Sequence, residues 1–124
     1  MAPHRTVEHI FPVLGVVNLT QSVHFYTETL GFHTDWLGDG VGSVSRDGNT
    51  LMLSEEAIRG GCVWIGLVDD SLFDVYVSRG VTVRREPRNY SWAYEMKIED
   101  PNGNILWLGT EPKENLHLLD KIVT

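Results

Sequence analysis

Cysteine is almost missing from this chain. Cys62 is the only one in 124 residues, which excludes an intrachain disulfide and fits a reducing compartment. A lone thiol of this kind is expected to be a small buried apolar side chain. Positive charge is scarce too: 10 Lys and Arg stand against 17 Asp and Glu, a formal net charge of −7. Binding a phosphate backbone needs clustered Lys and Arg, so nucleic acid is not an expected partner, whereas a cationic ligand is compatible. No apolar run approaches the ~20 residues that span a bilayer, and Met1 to Glu8 lacks the apolar core of a secretory signal. The expectation is a cytoplasmic protein with no membrane partner. Hydrophobic content of 42% and charged content of 22% suit a globular chain, and the length suits a single domain, 1–124, with a core of its own.

What the sequence does have is an imperfect internal copy. Asp47-Gly48-Asn49-Thr50-Leu51-Met52-Leu53 matches Asn102-Gly103-Asn104-Ile105-Leu106-Trp107-Leu108. Each is a tight turn feeding a strand, and duplication at a spacing of roughly 50 residues implies two units of one plan. In the first unit, Phe11 to Val17 reads as a buried strand. Asn18 caps a helix, with Gln21 three residues on. Leu19, Val23, Tyr26 and Leu30 fall on one helical face, leaving His24 on the wet side, and Gly31 stops the helix. Phe32 to Leu37, Val41 to Arg46 and Thr50 to Ser54 follow as strands, the last two joined by Asp47-Gly48.

The second unit repeats this order. Cys62 to Val68 is a strand, Asp70 caps a shorter helix through Tyr76 to Gly80, and Val81 to Arg85 is a strand. Pro87 to Ser91 is a loop, Trp92 to Glu99 a strand, Asp100 to Gly103 a turn and Asn104 to Gly109 the last strand. The fold class is therefore α+β: tandem βαβββ modules, about 10–56 and 60–111, forming curved mixed sheets around a cup. In the tail 112–124, Leu116, Leu119 and Val123 are spaced for a short amphipathic helix.

Catalytic constellations are hard to find. The five histidines, His4, His9, His24, His33 and His117, are scattered, and no Ser/His/Asp or Cys/His set stands out. Glu55 and Glu95 are isolated carboxylates that would need burial or a like-charged neighbour to act as bases near neutral pH. No catalytic residue is assigned.

Several stretches resemble the vicinal-oxygen-chelate superfamily of glyoxalases, extradiol dioxygenases and bleomycin-resistance proteins. These are Pro12-Val13-Leu14, Leu19, Ser22, Phe25-Tyr26 and Leu30-Gly31-Phe32 around the first helix, and Asp100-Pro101-Asn102-Gly103-Asn104 before the last strand. Metal-binding members carry one ligand on the first and one on the last strand of each module. Counted from the helix caps and turns, the resemblance puts those positions on Phe11, Met52, Val63 and Trp107, none a ligand for a hard or borderline divalent ion. His9, two residues before Phe11, is the one escape route. No metal and no cofactor are expected.

Aromatic and apolar surface takes the metal's place. Phe11, Met52 and Trp107 are expected on the concave face with Val63 and Ile65, and strand alternation puts Thr50 and Ser54 beside Met52. The nearer resemblance is to the bleomycin-resistance branch, whose members bind a cationic glycopeptide in clefts at a dimer interface. Leu30 to Trp36 is similar to its second strand, which implies a ligand-facing role for Asp35 and Trp36. Ser54 is similar to its polar residue ending the fourth strand, and Tyr90 to Glu95 to its Trp-Gly-x-Glu segment, with Trp92 as a stacking lid. Ala93 and Tyr94 depart from that segment's usual Gly and Arg. The implied protein is a homodimer that sequesters a flat, cationic, bleomycin-like small molecule. The competing readings are a metal-dependent glyoxalase- or dioxygenase-like enzyme and a domain whose cup is closed by its own side chains and serves association.

Overall fold

The computed structural model describes residues 4–121. Its first module contains β1 (Val13–Gly15), α1 (Leu19–His24) with a π-helical continuation over Phe25–Thr29, β2 (His33–Leu37), β3 (Val41–Arg46) and β4 (Asn49–Ser54). Its second contains β5 (Cys62–Gly66), α2 (Ser71–Ser78), β6 (Thr82–Asn89), β7 (Tyr94–Glu99) and β8 (Ile105–Thr110). Each module makes one open four-stranded sheet, in the orders β1-β4-β3-β2 and β5-β8-β7-β6. In both, the first strand runs parallel to the last and the other pairs are antiparallel. The α+β, βαβββ plan expected from the internal copy is the one that forms.

Local chemistry accounts for the elements. The Asn18 side chain accepts the Gln21 N–H at 2.9 Å and caps α1, and Leu19, Val23, Tyr26 and Leu30 are all buried. Asp47 and Gly48 both have positive φ, 50° and 78°, the pair of signs that a type I′ hairpin turn between β3 and β4 requires.

Other boundaries shift for physical reasons. β1 is only three residues long, because Pro12 has no N–H to donate and the Val17 N–H goes to Asn102 Oδ1 at 2.7 Å. β6 runs on through Pro87, where a loop was expected; it is the sheet's edge strand, where proline is tolerated. Register shifts along it mark bulges. Trp92 stands in the loop before β7 rather than in the strand. Asp70 occupies the cap position of α2 without a side-chain cap bond. Its carboxylate holds Lys113 Nζ at 2.8 Å, and Asp69 accepts the Ser71 N–H instead. Described tail residues form turns, not the expected helix; Val123 lies outside the described residues. Cys62 is exposed, not buried.

Both helices and the inner faces of both sheets share one core, in which Leu14, Val44, Leu51 and Leu53 join Tyr26, Phe73, Tyr76, Met96, Ile98, Leu106 and Leu108. The turn 100–104 is the polar joint of that core. Buried Asp100 accepts from the Tyr26 hydroxyl at 2.8 Å and from the N–H groups of Asn102 and Asn104 at 2.9 Å each. Asn104, fully buried, donates to Asp100 and to the Gly15 carbonyl and accepts from the Gly61 N–H. Tyr76 adds a second tie, donating to the Leu30 carbonyl at 2.7 Å.

Burial first, and then the Asp100 charge and hydrogen bond, hold the Tyr26 hydroxyl well above its ordinary 10.0. Burial likewise raises Tyr76. Above a pH of about 10 the unfolded chain releases these protons while the folded chain keeps them, so stability falls as pH rises through that window. Tyr26→Phe is expected to flatten the alkaline part of the stability curve, read by urea melts between pH 8 and 11. An unchanged slope would remove Tyr26 from the linkage.

Candidate functional site

Since the inner faces meet in one core, the outer faces of the two sheets point away from each other. Strand alternation then decides what each presents. On the first sheet, Val13, Met52 and Ser43 lie side by side across β1, β4 and β3. Asp35 is the extra residue of a bulge between Thr34 and Trp36. Its carboxylate turns onto this face and accepts from Ser43 at 3.1 Å and Ser45 at 2.7 Å. The next side chains alternate. Leu37 covers Gly42 beside Leu19 on the core side, which leaves Trp36 outward and 47% exposed. Ser54 ends the row, with its hydroxyl accepting the Glu56 N–H.

On the second sheet the equivalent row is Trp64, Trp107 and Lys97. The two indoles meet edge to face at 5.2 Å, and the Trp64 ring packs against Gly109, where any Cβ would collide with it. Lys97 Nζ sits 4.6 Å from the Trp107 ring centre. Further along β7, buried Glu95 pairs with Arg85 at 2.5 Å and accepts from Trp92 Nε1 at 3.2 Å. Trp92 stacks on Tyr90 with ring centres 4.7 Å apart and planes 4° from parallel.

The expected site residues therefore divide three ways. Asp35, Trp36, Met52 and Ser54 share the outer face of the first sheet, and Trp107 and Trp92 belong to that of the second. Phe11, Val63 and Ile65 sit elsewhere. They line a groove of about 740 Å3 between the modules, with Phe32, Leu67 and Leu72. Val63 and Ile65 pair with Leu106 and Leu108 and pack on the core, so their expected place on the concave face is corrected. Phe11 precedes β1 and stacks on His9 at 5.3 Å.

The error on β5 traces to the cap of α2. Seven residues back from Asp70, as from Asn18 to Phe11, lands on Val63, whereas five back from Asp69, which accepts the Ser71 N–H, gives Trp64 the place that Val13 has before Asn18. Trp64 and Lys97 were missed for this reason and because cross-strand register is invisible in one strand.

Beside the expected positions Phe11, Met52, Val63 and Trp107, the outward residues that register pairs on the first and last strands of each module are Val13 with Met52 and Trp64 with Trp107. One hydrocarbon, a thioether and two indoles supply no charge and no hard or borderline donor, so a divalent ion does not fit this set. Among the described residues, no group of three or more His, Cys, Asp and Glu is placed to hold a metal.

A family model described as the Glyoxalase/Bleomycin resistance protein/Dioxygenase superfamily matches residues 6–108. No curated protein matches the chain. Among solved structures, TnmS3, an antibiotic binding protein from Streptomyces sp. CB03234, is 25% identical with a TM-score of 0.76 over 89% of this chain and all of its own. The bleomycin-binding protein of Streptomyces verticillus, complexed with copper(II)-bleomycin, is 23% identical, with a TM-score of 0.66 over 89% of this chain and 100% of that one. A bleomycin resistance determinant encoded on the transposon Tn5 is 18% identical, with a TM-score of 0.73 over 85% of this chain and 98% of that one.

Proposed function

This chain belongs to the Glyoxalase/Bleomycin resistance protein/Dioxygenase superfamily, and from that premise we propose that it binds and sequesters a flat, aromatic small molecule in clefts built by two copies of itself. The observation that carries the reading is the division of the site. Trp36, Met52 and Asp35 look one way, and Trp64, Trp107 and Trp92 look the other, so one chain cannot bring them around a single ligand. Two-fold pairing that sets the first sheet of one chain against the second sheet of its partner makes two equivalent clefts, each with tryptophans on both walls. The similarity to an antibiotic binding protein at 25% identity supports the same class of function.

Charge orients the ligand. Asp35 is exposed, with two serine hydroxyls and no cation beside it among the described residues. A cationic group belongs at that wall, next to Trp36, where a cation over an indole face is worth about 0.5–2 kcal/mol. The opposite wall already has Lys97 over Trp107 and suits an uncharged or acceptor-bearing part of the same molecule. Asp35→Asn is expected to weaken a cationic ligand more than a neutral analogue of the same shape. Trp92→Ala is expected to weaken both, because it removes stacking area. A thermal-shift screen of planar natural products, bleomycin among them, tests the reading as a whole: a ligand should raise Tm by mass action.

Two expectations separate this reading from a metal-dependent enzyme and from a self-closed domain. Purified without chelators, the protein is expected to hold no stoichiometric transition metal by elemental analysis. One tightly held zinc, iron or manganese per chain, lost on His9→Ala, would overturn the reading. Sedimentation equilibrium at micromolar concentration is expected to return twice the chain mass, and a clean monomer there would defeat the shared cleft.

A further inference from the structure

We infer that the C-terminal segment 113–121 is a strap that fixes the Tyr90–Trp92 stack, with Asp120 as its positioning residue. The consequence for binding rests on the proposal that Trp92 stacks on a ligand. The loop between β6 and β7 is short and closed on itself by one bond, Tyr90 N–H to the Ala93 carbonyl at 2.9 Å. Ala93 is buried and Arg85 lies over the Tyr90 ring at 5.8 Å; the remaining polar contacts of the loop come from the tail and from Glu95.

At the base of the loop, buried Asn89 spends its whole side chain on the tail. Its amide donates to the carbonyls of Lys113 at 2.9 Å and Leu116 at 3.0 Å and accepts the Lys113 N–H at 2.8 Å. Its own carbonyl accepts the Leu119 N–H at 2.8 Å. Lys113 is moored in turn by Asp70 and lies over the Tyr94 ring. At the apex, the Asp120 carboxylate takes both donors of Ser91: the backbone N–H at 2.7 Å and the hydroxyl at 2.6 Å. Ser91 stands between the two stacked residues, so its position sets the pitch of both rings.

The tail buries little apolar surface, with Leu118 half-buried. Leu116 and Leu119 remain 46% and 54% exposed, and its polar contacts are concentrated on Asn89 and Ser91. A segment held this way acts on the loop it grips more than on the core. Among the described residues, Trp92, 60% exposed, is otherwise tethered only by its stack on Tyr90 and by its indole N–H to Glu95. Ordering such a side chain before a ligand arrives lowers the entropy lost on binding. The strap therefore contributes to affinity mainly by slowing dissociation, without Asp120 touching the ligand.

The test compares the full chain carrying Asp120→Ala or Asp120→Asn with the wild type. Three quantities are read: amide hydrogen exchange at Ser91, acrylamide quenching of the emission that Trp92→Phe removes, and release of acridine orange, a planar cation. For Asp120→Ala, exchange at Ser91 is expected to quicken about five- to ten-fold. Quenching of the Trp92 component and dye release should both rise, with Tm lowered by no more than a few degrees. Asp120→Asn, which keeps one acceptor for the Ser91 N–H, should fall between. Unchanged exchange and quenching in Asp120→Ala overturn the strap, and so does a variant that changes only in Tm. If the dye binds neither protein while exchange and quenching move, the strap stands and the ligand-stacking role of Trp92 is what fails.

Discussion

Replacing Asp100 by alanine is expected to cost about 3–5 kcal/mol of folding stability, a large part of the roughly 5–15 kcal/mol that a domain has. The carboxylate is buried and accepts from the Tyr26 hydroxyl, two backbone N–H groups and the Asn104 amide, all at 2.8–2.9 Å. Alanine leaves those donors out of water with no acceptor, and a buried unsatisfied donor costs about 1–3 kcal/mol. The damage does not stay local. Asn104 loses the partner that aims its amide at the Gly15 carbonyl in the other module. Asn102, which bonds Ser22 and Val17, loses the anchor of its own N–H. Asp100→Asn keeps acceptor capacity for the backbone groups and should cost less. Urea melts monitored by tryptophan fluorescence and by far-UV circular dichroism read the effect. A loss below 1 kcal/mol for Asp100→Ala would mean that the turn is not the joint between the modules.

A mixed dimer should recover a binding site that neither parent has. In the proposed dimer, Trp36→Ala would spoil the wall given by the first sheet and Trp107→Ala the wall given by the second, so each variant alone would be left with two damaged clefts. A dimer with one chain of each type would pair damaged wall with damaged wall in one cleft and leave the other cleft wild-type. Differently tagged chains, co-expressed and purified through both tags, should therefore bind one ligand per dimer at wild-type affinity. Each parent should bind at least ten-fold more weakly, as removal of a stacking indole at the centre of a binding surface commonly costs about 2 kcal/mol or more. Failure to recover any site would place both walls of a cleft within one chain, contrary to the opposite orientation of the two outer faces.

Much of the architecture was legible in the residues. The copied turn-and-strand heptapeptides, the Asn18 cap, the spacing of Leu19, Val23, Tyr26 and Leu30 and the Asp47-Gly48 hairpin are short-range signals. Each acts within a few residues, where one chain segment decides its own conformation. The parity of β4 was legible for the same reason: Leu51 and Leu53 are buried and Met52 lies between them. The parity of β5 was not. Cys62-Val63-Trp64-Ile65 is apolar on both sides, so no alternation marks a face, and only pairing with β8 tells Trp64 from Val63. The tail failed differently. Its leucine spacing allows a helix, but the buried Asn89 amide and the Ser91 donors claim Lys113, Leu116 and Asp120 for a non-helical path.

What the sequence alone determined is a duplicated α+β plan, since it follows from residue type and local spacing. What only the tertiary structure decided is which aromatic residues share a wall and which way each wall faces. It also decided that Asp100, Asn102 and Asn104 join the modules rather than merely turn the chain. Those outcomes depend on register between strands and on contacts across 74 to 89 positions of sequence, set by how two packed sheets satisfy their buried polar groups and not by any stretch of chain on its own.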